Sequence, residues 1–561
     1  MNVVLISQAS SEHSITFATL EDQASSAKEA ITEEFEKELS QNRISNIDVN
    51  VPCAIIAAVG DGMHEVAGVS GRFFSALGDA QINVLAISQG SSERNISAVV
   101  SSSQSTRALR ALHAAFRLSH TAIRVAVVGA NEVGVSLLRL LEAQRLILRS
   151  TFEIDVQVCS VAISGKDTNI LCLSNDTSDE SITVAAMKEV TDSSPLAAFD
   201  TTVSFATETP CDITNTFHED LSVLLGNLVR RECAHHVIFD CTNDVEASRF
   251  HAKWLSAGVH VVTANNTGLS GTKQERETIF AAESAHGKLS AQYLREVTVG
   301  GGLPIINTIR TLLSSGDKIR RVDGIFSVTM SYIMFRISPP PQNARCGAFD
   351  KETTKGAFSG DIALSSGCID FNVPCTFSQA VKEAVALGLT EIDPTNDLCN
   401  EYTGRVMMVL ARELGMDRNL SIKDIEMRSD KLVEIPEGET RDYRVFEGEA
   451  DKKISERVAS ASERGSVIRH VGSIDVASQS IDIKILEVPN NHIFALSPPT
   501  CECVRLFTHR YQPYPLVIQG PAAGVDCTSS ALLAELLKLM SSKVGPRTGV
   551  LSRTGSSAHL S

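Results

Sequence analysis

The stretch IRVAVVGANEVGVSLLRLLEAQ, Ile123 to Gln144, decides the fold class of this chain. It begins as an apolar run broken only by Arg124, turns at Gly129, and continues as a helix pattern carrying Leu137, Leu138 and Leu141. A buried strand, a glycine turn and a helix in that order open a nucleotide-binding α/β unit. There, small residues let the backbone approach a pyrophosphate at the helix N-terminus. The turn reads Gly129-Ala130-Asn131-Glu132-Val133-Gly134. Gly129 and Gly134 hold the first and third glycine positions of G-x-G-x-x-G, while Asn131 fills the middle one and Glu132 adds a negative charge. On the residues alone, the turn fits a plain strand-to-helix connection as well as a cofactor loop.

Downstream, IDVQVCSVAIS, HHVIFDCTN and GVHVVTAN repeat the strand signal between helical stretches, as a parallel sheet requires. Thr242 in Asp240-Cys241-Thr242, and Thr263, close two of these strands at their carboxyl ends, where open α/β sheets bind ligands. A threonine there also serves as an ordinary helix cap. VAISGK offers no acid for a ribose 2′-hydroxyl, and Lys166 favours a 2′-phosphate, hence NADP over NAD. From about residue 290 the pattern mixes: GGGLPIINTIRTLL is a glycine turn into a helix, and residues 337–374 read as a long insertion rich in Pro, Gly, Ser and Cys. FSQAVKEAVALG, TGRVMMVLARELG and TSSALLAELLKLMSSK return to helical spacing, and the small polar tail is expected to be disordered.

Upstream, two segments echo each other 81 positions apart, with Gln8 matching Gln89: VVLISQASSEHSITF from Val3 and VLAISQGSSERNISAVV from Val84. Around the second copy the order is strand, helix, strand, strand, helix, a ferredoxin-like split unit, whereas the first copy starts at its second strand. A net charge of -16 argues against nucleic acid or an acidic membrane surface as partner. Thirteen cysteines form no CxxC pair, and no apolar run reaches membrane-span length, so a reduced, cytoplasmic setting is expected. No targeting segment is visible; a plastid location stays open if the chain is a piece of a longer one.

At this point the motifs carry a resemblance. The two repeats resemble the ACT regulatory domains of bifunctional aspartokinase–homoserine dehydrogenases. VVGANEVG, DCTN, HVVTAN, TVGGGLPII, GLTEIDPTNDL and YQPYPLVIQGPAAG occur in the order and spacing of that family's homoserine dehydrogenase half. The implied fold class is α/β: an incomplete ACT domain (1–50), a full one (51–120), a Rossmann-like domain (121–289) and an α+β catalytic and dimerisation domain (290–505). A C-terminal segment (506–545) is expected to pack on the nucleotide domain, with a disordered tail at 546–561. The implied activity is NAD(P)-dependent interconversion of aspartate semialdehyde and homoserine, regulated by threonine, in a homo-oligomer.

The resemblance places Gly129, Asn131, Val133, Gly134, Thr242, Thr263 and Gly524 around the cofactor. It assigns a sodium ion to Glu296 and the carbonyls of Val299, Gly301 and Leu303, a set of hard oxygen donors. Those glycines also have a structural use in the turn. Glu391 and Asp397 fall to the substrate amino group, although carboxylates also suit a helix N-terminus. Gln8 and Gln89 fall to threonine, near the loop Gly60 to Met63, or else simply end their strands.

The catalytic positions depart from the pattern. A lysine ammonium would stabilise the developing alkoxide and pass a proton. At the family's two lysine positions stand Asn266 and Val406, with Tyr402 in place of an aspartate, and there is no lysine between Lys382 and Lys423. Val328 and Ala522 replace family glycines, and Lys273 is the nearest candidate substitute. Three readings follow: a dehydrogenase with another proton donor, a homologue without turnover that binds threonine or regulates an active paralogue, or a decayed gene product.

Overall fold

The strand β1 (Val3–Gln8) pairs antiparallel with β2 (Ile15–Thr19), and α1 (Ala24–Glu34) follows. β3 (Cys53–Val59), α2 (Val69–Asp79), β4 (Ala86–Gln89), β5 (Asn95–Ser101) and α3 (Ser105–Ala115) then form a split unit with sheet order β3-β5-β4. Alternation along the strands turns Ile56, Ile96, Ala98 and Val100 inward onto Phe73, Leu77, Ala108 and Leu112. β1 lies alongside β4, so the two sequence repeats sit next to each other. The computed structural model describes residues 3–544 except 9–14, 91–93, 117–120, 164–168, 286–290, 342–373, 391–393, 523 and parts of 173–234 and 417–447. The expected tail, nearly all of the expected insertion, Lys166 and Glu391 lie outside the described residues.

The chain divides into two compact units, the first built on residues 1–123. In the second, β6 (Thr121–Val128), β7 (Ile154–Ile163), β8 (Asn169–Cys172), β9 (His235–Asp240), β10 (His260–Thr263) and β11 (Tyr293–Leu294) form one sheet in the order β11-β10-β9-β6-β7-β8. β9, β10 and β11 run parallel as expected, while β8 turns back antiparallel to β7. Successive strands run outward from β6 in both directions, so the crevice between the ends of β6 and β9 is a topological switch point. α4 (Glu132–Thr151) leaves the glycine turn, and α5 (Thr267–Ser270) and α6 (Lys273–Ser284) follow β10. Thr272 and Glu275 start α6 with a reciprocal capping box.

The second half of this unit adds α7 (Ile305–Ser314), α8 (Val328–Ile337), α9 (Glu401–Glu413) and α10 (Val525–Val544). They accompany an antiparallel sheet of β12 (Ile319–Ile325), β13 (Ser466–Asp475), β14 (Ser480–Pro489), β15 (Cys501–Thr508) and β16 (Leu516–Pro521), ordered β14-β13-β12-β15-β16. The boundary expected at residue 506 falls inside β15, and β16 belongs to this sheet because both strands continue its hydrogen-bonded ladder. Within 506–545, α10 supplies the contact with the nucleotide half: Ser136 Oγ lies 3.2 Å from Asp526 Oδ1 and 2.9 Å from Ser529 Oγ. The expected start of the insertion, Ile337, is the last residue of α8.

Gly324 and Gly472 are cross-strand partners, and together they leave a shallow dish in the sheet. The ring of Phe326 lies over both, and Met407 of α9 lies over Gly472. A Cβ on Gly324 would stand 2.6 Å from the Cys503 carbonyl oxygen, whereas one on Gly472 would meet the flexible Met407 end at 2.6 Å and the Phe326 ring at 3.1 Å. Gly324→Ala should therefore lower unfolding stability by about 1–3 kcal/mol, and Gly472→Ala by less, read as the shift in denaturant midpoint.

Candidate functional site

The site is built where β6 and β9 end. Cys241 N donates to Val128 O at 2.8 Å and Gly129 N to Ala162 O at 2.9 Å, which ties the glycine turn between its neighbours. Gly129 has φ +94, and a Cβ there would lie 2.7 Å from Thr242 Cγ2. A Cβ on Gly134 would lie 2.0 Å from Gly129 O. Both glycines are thus required by close approach. Asn131 does not leave the middle position bare: its Nδ2 donates to Cys241 O at 2.7 Å, and its Oδ1 accepts from Gly134 N at 3.0 Å. The side chain locks the turn and occupies one amide of the α4 N-terminus. Val133 is half-buried on the first turn of α4, behind the exposed Glu132.

Across the crevice, wholly buried Asp240 orders the ends of β9 and β10. Its Oδ1 accepts from Thr242 N at 2.9 Å and Thr242 Oγ1 at 2.6 Å, and its Oδ2 accepts from Asn265 Nδ2 at 3.0 Å. His251 Nε2 donates to the same oxygen at 2.8 Å, and the Tyr293 hydroxyl lies 3.0 Å from His251 Nδ1. Thr263 Oγ1 accepts from Asn265 N at 2.9 Å. Sequence reasoning picked out Thr242 and Thr263 but missed Asp240, His251, Asn265 and Tyr293. The only local signal was the paired spacing of Asp-x-Thr and Thr-x-Asn; His251 and Tyr293 arrive through tertiary packing.

Asn266 caps the short α5 and is buried, with an Oδ1 that has no hydrogen-bond partner among the described residues. Arg412 of α9 donates to the carbonyl oxygens of Leu269 and of Gly271, the latter at 2.8 Å, and so holds α5 against α9. On α9, Val406 is fully buried in a large apolar cluster that also contains Val328 and Ala522. Tyr402 packs half-buried at its margin, its ring 5.9 Å from the Arg405 guanidinium. Asp397 is buried on the short helix Pro394–Leu398. Lys273 lies on the solvent face of α6, its side chain 57% exposed and 3.7 Å from Glu277.

The glycine loop after β11 completes the wall. Gly300 (φ +68) and Gly301 (φ +51) adopt left-handed backbone, and a Cβ on Gly301 would lie 2.0 Å from the Ala522 carbonyl oxygen. The loop and the segment between β16 and α10 are thus pressed backbone to backbone, with Gly524 exposed immediately before α10. Glu296 is buried at the start of the loop: Oε2 accepts from Asn307 N at 2.7 Å, while Oε1 has no partner among the described residues. Burial pushes its carboxyl up to about 7. Val299 and Leu303 are also buried there. In the other unit Gln89 ends β4 and its Oε1 accepts from Ser70 Oγ at 3.3 Å, while Gln8 ends β1.

Residues 129–290 match the family model for the NAD binding domain of homoserine dehydrogenase, 304–537 that for homoserine dehydrogenase, and 56–116 that for an ACT domain. The chain is 33% identical over 544 residues to bifunctional aspartokinase/homoserine dehydrogenase 2, chloroplastic, of Arabidopsis thaliana, covering 96% of this chain and 52% of that one. It is 29% identical over 546 residues to bifunctional aspartokinase/homoserine dehydrogenase of Haemophilus influenzae, covering 96% of this chain and 58% of that one. It therefore spans about half the length of these relatives. A solved structure of a protein of unknown function from Candida auris shares the fold, with a TM-score of 0.56 at 24% identity, covering 75% of this chain and 99% of that one. No helix among the described residues is long and apolar enough to cross a membrane.

Asp240→Ala would strand the donors of Thr242 and His251 in a buried site, while Asn265 Nδ2 keeps the Asp244 carbonyl oxygen at 2.8 Å. At about 1–3 kcal/mol for each donor left unsatisfied, the variant should lose several kcal/mol of stability in denaturant melts.

Proposed function

We propose, starting from a chain that belongs to the homoserine dehydrogenase family, that its crevice binds a pyridine dinucleotide and interconverts homoserine with aspartate semialdehyde without a lysine ammonium at the substrate oxygen. The observation that carries this reading is the bare Gly129 held against an Asp240-oriented Thr242 at the switch point, next to a buried Asn266 with an unpartnered oxygen. The turn fits a dinucleotide, because its glycines are required by contact and the α4 N-terminus opens beside it. When bound, that group supplies or accepts the hydride. Gly129, Gly134 and the amides of Asn131 and Val133 would hold the pyrophosphate, with one amide already satisfied by Asn131 itself. Thr242, Thr263 and Gly524 would hold the nicotinamide end, and Lys166 would favour NADP.

Asp397, with Glu391, would take the substrate ammonium. The Asn266 amide can donate a hydrogen bond to the substrate oxygen but carries neither a positive charge nor a transferable proton. Val406 offers only an apolar wall. The buried Glu296 Oε1, which has no partner among the described residues, suits a monovalent cation shared with the carbonyls of Val299, Gly301 and Leu303. Gln8 and Gln89 would contact threonine in the ACT unit, and the protein would act as a homo-oligomer. A second reading, a threonine-binding homologue without turnover, is favoured by the seating of Val406 inside the core.

NADPH binding, followed by fluorescence, and NADPH oxidation with aspartate semialdehyde test this directly. Binding is expected, with turnover about 10²–10⁴ below that of a lysine-bearing relative; failure to bind NADPH would overturn the reading. Asn266→Lys should raise turnover. Val406→Lys should cost on the order of 3 kcal/mol, because it would bury an unpaired charge, and should show a lowered melting midpoint. Exchanging choline for sodium at constant ionic strength should raise the melting midpoint of the native protein and leave Glu296→Gln unmoved.

A further inference from the structure

The strand register sets two ionisable side chains in one row of the antiparallel sheet. Gly324 pairs with Gly472 on β13 and with Val504 on β15. Carried two residues past these pairings, the same register would set His470 and Glu502 on either side of Phe326, which follows the end of β12, and Glu502 pairs with Gly520 on β16. Residues in one cross-strand row project from one face. That face is the one α9 covers: Asn400, at the start of α9, accepts from His470 Nε2 at 2.7 Å, and Met407 lies over Gly472. At the far end of the row, a Cβ on Gly520 would come within 3.0 Å of Leu303 Cδ2 in the glycine loop. Glu502 is therefore placed between the helix that lacks the lysine and the loop that borders the nucleotide crevice.

Glu502 is 3% exposed, and its Oε2 is buried without a hydrogen-bond partner among the described residues. Burial is the one cause that pushes its carboxyl up to about 8, so it holds its proton at neutral pH. Burial pushes His470, its row-mate, down to about 4, so the imidazole is neutral there. Among the described residues near this face, three ionisable side chains have partners of their own. Arg336 pairs with Glu383 at 2.7 Å and Arg405 with Glu401 at 3.2 Å, while Glu296 accepts from Asn307 N. Environments that separate an acid from a base in this way mark proton-transfer pairs.

We propose that Glu502 is the proton donor of this site, giving the substrate oxygen the proton that Asn266 and Val406 cannot supply. The inference rests on the reading of the crevice as a dinucleotide-dependent carbonyl-reducing site. In that direction the carbonyl carbon gains a C–H bond by hydride from a reduced pyridine dinucleotide, which is thereby oxidised. The carbonyl π electrons become an O–H bond to the Glu502 proton. Glu502 is left as a carboxylate and recovers its proton from water; in the reverse direction the carboxylate takes the alcohol proton.

Glu502→Gln keeps the size and neutrality of the side chain but has no acidic proton. Its kcat for aldehyde reduction should fall about 10²–10³-fold, with KM and NADPH affinity held within about threefold. The native kcat should be level up to a pH near 8 and fall tenfold per unit above it, and the residual rate of the variant should lack that limb. Glu502→Asp should recover part of the rate and keep the limb, and it carries the test if the glutamine variant fails to fold. A glutamine variant with native kcat, or a native profile without the limb, overturns the assignment while leaving the crevice reading intact. NADPH binding with no turnover in the native protein also overturns it. Failure of the native protein to bind NADPH overturns the crevice reading itself.

Discussion

One buried carboxylate holds the working end of the parallel sheet together. Asp240 sits where water cannot solvate it, and Thr242, His251 and Asn265 surround its two oxygens with donors. Those donors come from the ends of β9 and β10 and from the helix between them. The carboxylate thereby fixes Thr242 against Gly129 and sets the direction in which the chain leaves β10 toward Asn266. The glycine turn, α5 and the seat of α9 all take their positions from that arrangement.

Much of this was legible from local pattern, and the reasons are physical. Period-two alternation in the split unit and the apolar run ending at Gly129 are properties of short windows, and the structure follows them. Gly129 and Gly134 stand in the turn that the local pattern placed between strand and helix, where close approach requires them. Asn131 did not read as a lock, because its partner Cys241 lies 110 residues away. Lys273 looked like a nearby substitute for a lost lysine, but helical phase turns it to solvent. Glu502 carried no signal at all. Its environment depends on which residues of four strands come abreast, and that register is set by packing across nearly 200 positions of sequence.

At Asn266 and Val406 the resemblance leads to an expectation of charge; the chain carries an amide and a branched aliphatic there, and the second of these is part of the core. A lysine ammonium is strongly hydrated, whereas Val406 is fully buried among apolar side chains. The remaining ionisable groups on the same side of the sheet, His470 and Glu502, are uncharged at neutral pH because they are dry.

The contact between Gly301 and the Ala522 carbonyl links the loop after β11 to a segment more than 200 residues later. During synthesis, the nucleotide half and most of the antiparallel sheet emerge before β16 and α10 exist. The nascent chain therefore carries an unroofed crevice, with the apolar sides of Leu303 and Ile305 bare, until almost the last described residue has been added. Completion of the site waits until β16 and α10 have been translated, and chaperone occupancy of the ribosome-bound chain should persist until then.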